Sequence, residues 1–224
     1  MYGDRTLKGN SQTGQYGNVN NVLTEPNETR RRGRPRNPAV DRAILESARS
    51  VVARKGFTGT SMEEIARTAG VGKDTLYRRW KSKEMLVHRL LEVLAAENVP
   101  VPVEDDPRYA LFVFLQDIVR LNARSDFGSI VAGIVGESAR NPEMAAAFRQ
   151  FWSERRSIAG ELVRRIVDPA TSDREIDGIL DHLLGPIYYR LLLSGSPIDD
   201  EYLWDLIIAI SWSSSEPESQ IQTI

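Results

Sequence analysis

Residues 60–83 read TSMEEIARTAGVGKDTLYRRWKSK, and the fold of the whole chain follows from this stretch. Ile65, Ala66 and Ala69 recur at helical spacing and give one short helix a buried face. Thr60 is placed to cap that helix while Glu63 reaches back, a capping box. Gly70 stands where a helix ends in the left-handed conformation, and Val71 can plug the angle before the next helix. Gly72 frees the backbone ahead of a second helix. There Leu76 and Trp80, four apart, face inward, leaving Lys73, Thr75, Tyr77, Arg78 and Arg79 outward or sideways. Two short helices joined by a glycine-containing turn, the second positively charged, have the form of a helix-turn-helix that seats its second helix in the DNA major groove.

The flanks complete a small domain. Asn37 as N-cap and Pro38 at the first helical position open a helix. Its apolar face runs through Val40, Ala43, Ile44, Ala48, Val51 and Val52, and Gly56 closes it. With Phe57 packed into the same core, residues 38–81 make a three-helix unit. Before it, residues 30–37 form a basic arm holding Arg31, Arg32, Arg34 and Arg36. Residues 1–29 are rich in Gly, Asn and Gln with almost no apolar periodicity, so they are expected to be disordered.

After the unit, Ser82 caps a connecting helix, 82–98, with Met85, Leu86, Leu90, Val93 and Leu94 in one stripe. Asn98, Pro100, Pro102 and Pro107 break it. Residues 99–214 then read as a larger helical domain. Asp106-Pro107 opens an apolar, central helix. Gly128 and Gly133 fall in a shorter one. Asn141-Pro142 opens a long helix ended by Pro169, and another begins near residues 171–173, with Pro186 expected to kink it. A last helix covers 198–213, before a polar tail, 215–224. No segment reads as a strand, so the predicted fold is all-α.

Composition bounds the function. The chain is 41% hydrophobic and 27% charged, which permits an ordinary globular core. No apolar run approaches the roughly 18–20 residues needed to span a bilayer, and the N-terminus lacks the apolar core of a secretory signal; both fit a cytoplasmic protein with no membrane partner. There is no cysteine, which excludes disulfides, thiolate metal sites and cysteine nucleophiles. The net charge of −2 conceals a segregation. Residues 28–90 hold 16 Lys and Arg against 7 Asp and Glu, a balance of +9; residues 91–224 hold 11 against 22, a balance of −11. One surface thus suits phosphate and the other repels it.

The segment from Val40 to Leu86 resembles the tetracycline-repressor (TetR) family of bacterial transcriptional regulators. It shares an Ile-Leu-x-x-Ala helix, Gly-Phe-x-x-Thr-Ser, Ile-Ala-x-x-Ala-Gly-Val, Thr-Leu-Tyr and Lys-Ser-Lys-Glu, in that order. The stretch LGPIYYRLLL at 184–193 is similar to a recurrent C-terminal subtype. The resemblance implies a homodimer, a three-helix DNA-binding domain, and a helical C-terminal domain binding a small effector. It also implies a four-helix dimer interface built from the last two long helices, by position 173–193 and 198–213. Candidate interface residues are Leu180, Leu184, Ile187, Tyr188, Leu191, Leu203, Leu206, Ile207 and Ile210. The chain departs from the family in the turn, at Gly72, Lys73 and Asp74, and in ending its recognition helix on Arg78, Arg79 and Trp80. The base sequence recognised therefore does not carry over.

Lys73 and Thr75 lie early in the recognition helix, where side chains meet base edges; lysine can donate to guanine O6 and N7, and the threonine methyl can touch thymine. Tyr77 can pack its ring while its hydroxyl reaches a phosphate. Thr60, Ser61, Gly72 and Lys83 are further candidates for the phosphate backbone, and Arg78 and Arg79 add positive charge. Arg-Gly-Arg-Pro in the arm resembles the core of an AT-hook for narrow A·T minor grooves, with a generic basic tail as the alternative. Phe112, Phe114, Phe148, Phe151 and Trp152 are candidate effector-pocket residues, or plain core. His88 and His182 lie in separate helices; a metal site of the histidines with Asp181 is the lesser reading beside packing or surface roles. Neither metal nor cofactor is expected, and no catalytic constellation appears. The chain thus reads as a DNA-binding regulator, more a repressor than an activator. The alternatives are an effector-independent architectural protein and an all-helical enzyme.

Overall fold

The computed structural model describes residues 37–210. The arm arginines Arg31, Arg32, Arg34 and Arg36, and the two expected tails, lie outside the described residues. Nine α-helices and one π-helical turn form among these residues, without a strand. The head holds α1 (Pro38–Lys55), α2 (Met62–Thr68) and α3 (Lys73–Arg79). The body follows with α4 (Lys83–Asn98), α5 (Pro107–Arg124), α6 (Asp126–Ser138), α7 (Pro142–Arg164), α8 (Asp173–Tyr189), a π turn (Arg190–Ser194) and α9 (Asp200–Ile210).

Local chemistry sets most boundaries. Asn37, Ser82, Asp106 and Asn141 each accept a hydrogen bond from a backbone N–H in the first turn of the helix they precede, and Pro38, Pro107 and Pro142 fill first-turn positions. Such caps satisfy donors that have no partner within the helix. Gly56 ends α1 at φ 70° and Gly70 ends the α2 turn at φ 65°, a region that favours glycine. Gly72, by contrast, sits at φ −69°, ψ 148°, ordinary extended backbone, so the freedom expected of it is not used.

The cap of α2 falls one residue later than expected, and the reciprocal half of a capping box does not form. Ser61, not Thr60, is the N-cap, accepting from the Glu64 N–H at 3.2 Å. Thr60 is buried and its hydroxyl donates to the Gly56 carbonyl at 2.7 Å, tying the end of α1 to the start of α2. Glu64 faces α1 instead, paired with Lys55 at 2.8 Å and Arg54 at 3.3 Å. The Lys55 hydrogen bond holds its carboxyl below the usual glutamate range.

One continuous apolar core runs from Ile44 in α1 to Ile210 in α9. In the head it is Ile44, Ala48, Val51, Phe57, Ile65 and Leu76; α4 extends it through Leu86, Val87, Leu90 and Leu91. α4 packs on α1 and α7, and α7 on α6, α5 and α8, so α4 connects the head to the middle of the body. Polar ties reinforce that route: Arg49 to Asp126 at 3.2 Å, Thr58 to Glu137 at 2.8 Å, and Asn141 to Glu84 at 3.0 Å.

At the C-terminal side, α8 carries a capping box of Ser172 and Glu175 and runs through Pro186. The regular pattern fails only after Tyr189, in the π turn, which closes at Gly195 with φ 65°. α9 starts at Asp200, two residues later than expected, because Asp199 accepts from the Tyr202 N–H at 2.9 Å and so caps it.

Two glycines of α6 should respond oppositely to alanine. A Cβ on Gly128 would stand 2.3 Å from the Asn122 carbonyl oxygen, whereas one on Gly136 meets nothing within 4 Å. Gly128→Ala is expected to cost about 1–3 kcal/mol by forcing α5 and α6 apart, and Gly136→Ala to gain about 0.5–1 kcal/mol. Urea unfolding of the two variants checks both signs.

Candidate DNA-binding surface and effector cavity

α3 buries only Leu76. Burying one leucine is worth about 1.5–3 kcal/mol, so this short helix is held by that anchor, by the half-buried Trp80 at its end and by polar contacts. The opposite face is open. The side chain of Lys73 is 63% exposed, Tyr77 is 41% exposed, Arg78 is exposed and Thr75 half-buried. Glu63 of α2 holds two of these: Tyr77 donates to its Oε1 at 3.2 Å, and Lys73 Nζ lies 3.7 Å from the same oxygen. Its own backbone N–H, then Lys73 and Tyr77, hold the Glu63 carboxyl below the usual range. The carboxylate therefore orients side chains that face away from the core.

Three expected contacts with DNA have other duties. Arg79 is only 11% exposed in its side chain and pairs with Asp41 of α1, fastening α3 to α1. Lys83 turns back into the head, donating to the carbonyls of Phe57 at 2.8 Å and Thr60 at 2.9 Å, with Nζ 4.1 Å from the centre of the Phe57 ring. Burial lowers its ammonium below the ordinary lysine value, against Glu84 and Glu137, which raise it. Thr60 is buried, as described. Ser61 remains exposed at the α2 cap. The outward set is thus Ser61, Lys73, Thr75, Tyr77 and Arg78.

In the body, a small cavity lies between α4, α5, α7 and α8, with Phe127 of α6 at one side. About 20 Å³ of it admits a water-sized sphere, room for roughly one water. Phe114, Phe151 and Trp152 line it, as expected, alongside Asn122, Arg155 and Tyr188. Phe148 instead lines an outer groove of about 330 Å³ together with Val131, Val135 and Leu192. Phe112 is in neither; its ring stacks on Trp204 of α9 with centroids 4.8 Å apart and belongs to the α5–α9 contact.

The expected dimer residues are mostly occupied at home. Leu180, Leu184, Ile187, Leu203, Ile207 and Ile210 are all buried within the protomer, while Tyr188, Leu191 and Leu206 are half-buried. The apolar side chains that α8 and the π turn present outward are Tyr189, 58% exposed, and Leu193, 78% exposed. The histidines do not meet. His182 lies 2.9 Å from the Gly178 carbonyl, and Asp181 pairs with Arg156 at 2.8 Å. His88 instead approaches Glu92 and Glu154, ligand atoms within 4.8 Å of one another, a cluster between α4 and α7 that spacing along the sequence does not disclose.

A three-helix head with an outward basic helix, joined through α4 to a helical body, defines a helix-turn-helix transcription regulator. Comparison with known proteins agrees. Residues 44–90 match the model of bacterial regulatory proteins of the tetR family, and residues 101–210 match the tetracyclin repressor-like C-terminal domain. The chain belongs to the TetR family. It is 27% identical over 181 residues to the HTH-type transcriptional regulator YdeS of Bacillus subtilis (strain 168), covering 80% of this chain and 91% of that one. It is 28% identical over 158 residues to the HTH-type transcriptional regulator AqdR of Rhodococcus erythropolis, covering 68% and 75%. Among solved structures, the TetR family regulator SCO0332 superposes with a TM-score of 0.65 at 25% identity, over 79% of this chain and 99% of that one. The flavonoid-responsive regulator FrrA has the same fold, TM-score 0.59 at 24% identity, over 79% and 95%. These relatives are transcription regulators, not enzymes. No helix among the described residues is long and apolar enough to cross a membrane.

Removing the carboxylate beside the outward face should favour any polyanion. Glu63→Gln is expected to tighten binding to duplex DNA of arbitrary sequence several-fold, read by fluorescence anisotropy with a labelled duplex. Unchanged or weaker binding would show that orienting Lys73 and Tyr77 outweighs the repulsion.

Proposed function

We propose that this protein is a cytoplasmic, homodimeric repressor that binds a palindromic operator and is released from it by a small molecule. The observation that carries the reading is the outward face of α3, where Lys73, Thr75, Tyr77 and Arg78 stand clear of the core on a helix anchored by Leu76. Family members bind DNA and form dimers, and FrrA is described as responsive to flavonoids; both support the same reading here. Two copies of α3 would enter successive major grooves about 34–36 Å, or a multiple, apart. Lys73 and Thr75 read base edges, Tyr77, Arg78 and Ser61 meet phosphates, and the arm arginines reach the adjacent minor groove.

Dimerisation uses the outward sides of α8, the π turn and α9, with Tyr189 and Leu193 as apolar anchors. A ligand in the body shifts the population towards a spacing of the two heads that no longer fits, transmitted by α4. The dimer stays intact throughout. A lined cavity behind α4 favours this reading over an architectural protein with no effector.

Two measurements test it. Selection of bound duplexes from random DNA should yield an inverted repeat, and Lys73→Ala should relax preference at one position of each half-site by about 1–3 kcal/mol. Sedimentation should show a dimer that Tyr189→Asp together with Leu193→Asp converts to a folded monomer with greatly weakened operator binding. A selection that yields no repeat, or a double variant that stays dimeric, overturns the corresponding part.

A further inference from the structure

Arg155 is the one charged side chain lining the inner cavity, and its pairing sets it apart from its neighbour. Arg156 has two carboxylate partners, Asp177 and Asp181, each at 2.8 Å. Arg155 pairs with no carboxylate among the described residues. It makes one hydrogen bond, Nη2 to the Val99 carbonyl at 3.1 Å, and its guanidinium carbon lies 5.6 Å from the centre of the Phe114 ring. Burial lowers its affinity for a proton, with the Tyr188 hydroxyl opposing that effect. A guanidinium has five N–H donors in a planar fork, and here a protein group, the Val99 carbonyl, takes one of them. A half-buried cation facing an apolar space carries a desolvation cost that an anion offsets best.

The remaining surroundings describe the rest of such a ligand. The walls are apolar and largely aromatic: Phe114, Phe127, Phe151 and Trp152. Two polar residues besides Arg155 line it: Tyr188, whose hydroxyl interacts with the Asn122 side chain, and Asn122 itself, whose Oδ1 is buried without a hydrogen-bond partner. The outer groove shares Trp152, Leu184 and Tyr188 with the cavity. Trp152 and Tyr188 meet edge to face with centroids 4.7 Å apart, so this ring pair is the partition between the two spaces. Were the pair to swing aside, the inner 20 Å³ would join the outer 330 Å³, enough for a small ligand on the usual scale of about 300–1,000 Å³.

We propose that this joined space binds an aromatic or similarly apolar carboxylic acid as its anion, with the carboxylate on the Arg155 fork and the apolar body between Trp152 and the phenylalanines. The proposal rests on the reading of the body as an effector domain and names the chemical class of the effector. It also supplies a link to the head. The carbonyl that Arg155 now holds belongs to Val99, the C-cap of α4, and the other end of α4 holds the head through Lys83. A carboxylate that draws Arg155 away from Val99 frees the C-terminal end of that helix.

The test compares naphthalene-2-carboxylate with its neutral counterpart naphthalene-2-carboxamide on the full-length protein, by calorimetry and tryptophan fluorescence. The acid is expected to bind tighter than the amide by on the order of tenfold, the worth of one charge-assisted hydrogen-bonded pair. Arg155→Met should abolish that preference while leaving amide affinity in place, and Arg155→Lys should retain part of it. Equal affinity for both compounds, binding of neither, or a preference that survives Arg155→Met overturns the proposal. Because the acid–amide ratio is measured on the unchanged protein, a variant that fails to fold does not spoil the test. Operator affinity is read in parallel. Acid preference without any change in DNA binding supports the acid site and overturns the effector reading, whereas DNA release by acid and amide alike does the reverse.

Discussion

The bond between the Lys83 ammonium and the carbonyls of Phe57 and Thr60 is the contact on which the arrangement of the molecule depends. It lies at the first residue of α4 and reaches the loop between α1 and α2. The Phe57 carbonyl of that loop also accepts the Thr60 N–H at 3.2 Å, and the ammonium gives it and the Thr60 carbonyl a further, charged donor. The cation rests against the Phe57 ring as well. The head is therefore fixed to α4 at the point where the helix begins, and any rotation of α4 turns α2 and α3 with it. Leu86 and Val87, buried one turn further on, leave little slack in the attachment.

The far end of the same helix is held by a second cation, Arg155, on the Val99 carbonyl. α4 is thus a rod with a basic side chain clasping backbone carbonyls at each end. At one end the clasp comes from the helix itself and at the other from α7. The first connects to the outward face of α3, the second to the aromatic cavity. Between them the helix is packed on α1 and α7 through apolar side chains, which resist shear but tolerate small rigid rotations. On the proposed function, this helix is the physical route from the body to the head.

Much of this was legible in the sequence, where the determining chemistry is local. Asn37-Pro38, Asp106-Pro107 and Asn141-Pro142 announce helix starts because cap and proline act within one turn. The outward face of α3 followed from the spacing of Leu76 and Trp80. The register of the α2 cap was not legible, since Thr60 with Glu63 and Ser61 with Glu64 satisfy the same pattern; the Gly56 carbonyl holds the Thr60 hydroxyl and leaves Ser61 as the cap, while Lys55 and Arg54 on α1 claim Glu64. Arg79 and Lys83 looked like phosphate contacts because their partners, Asp41 and the Phe57 carbonyl, lie 38 and 26 residues away. Leu180, Ile187 and Ile207 posed a different problem: an apolar stripe declares that it will be covered, not whether by its own chain or by another. Arg155 gave no signal at all, since along the chain a half-buried arginine without a carboxylate partner looks like any other.

Glu63 carries a consequence for the thermodynamics of polyanion binding. A lysine on a protein surface ordinarily approaches DNA with its own loosely held anions, and what drives association is largely the release of the ions condensed on the phosphates. Lys73 arrives with a carboxylate held 3.7 Å away on the same molecule, which partly offsets its charge. Any phosphate it meets must displace a tethered counter-ion that cannot diffuse off, so only the cations condensed on the DNA return mixing entropy. The contact is correspondingly tolerant of salt and intolerant of poor fit, favouring duplexes on which Lys73 finds a base edge over those offering only charge.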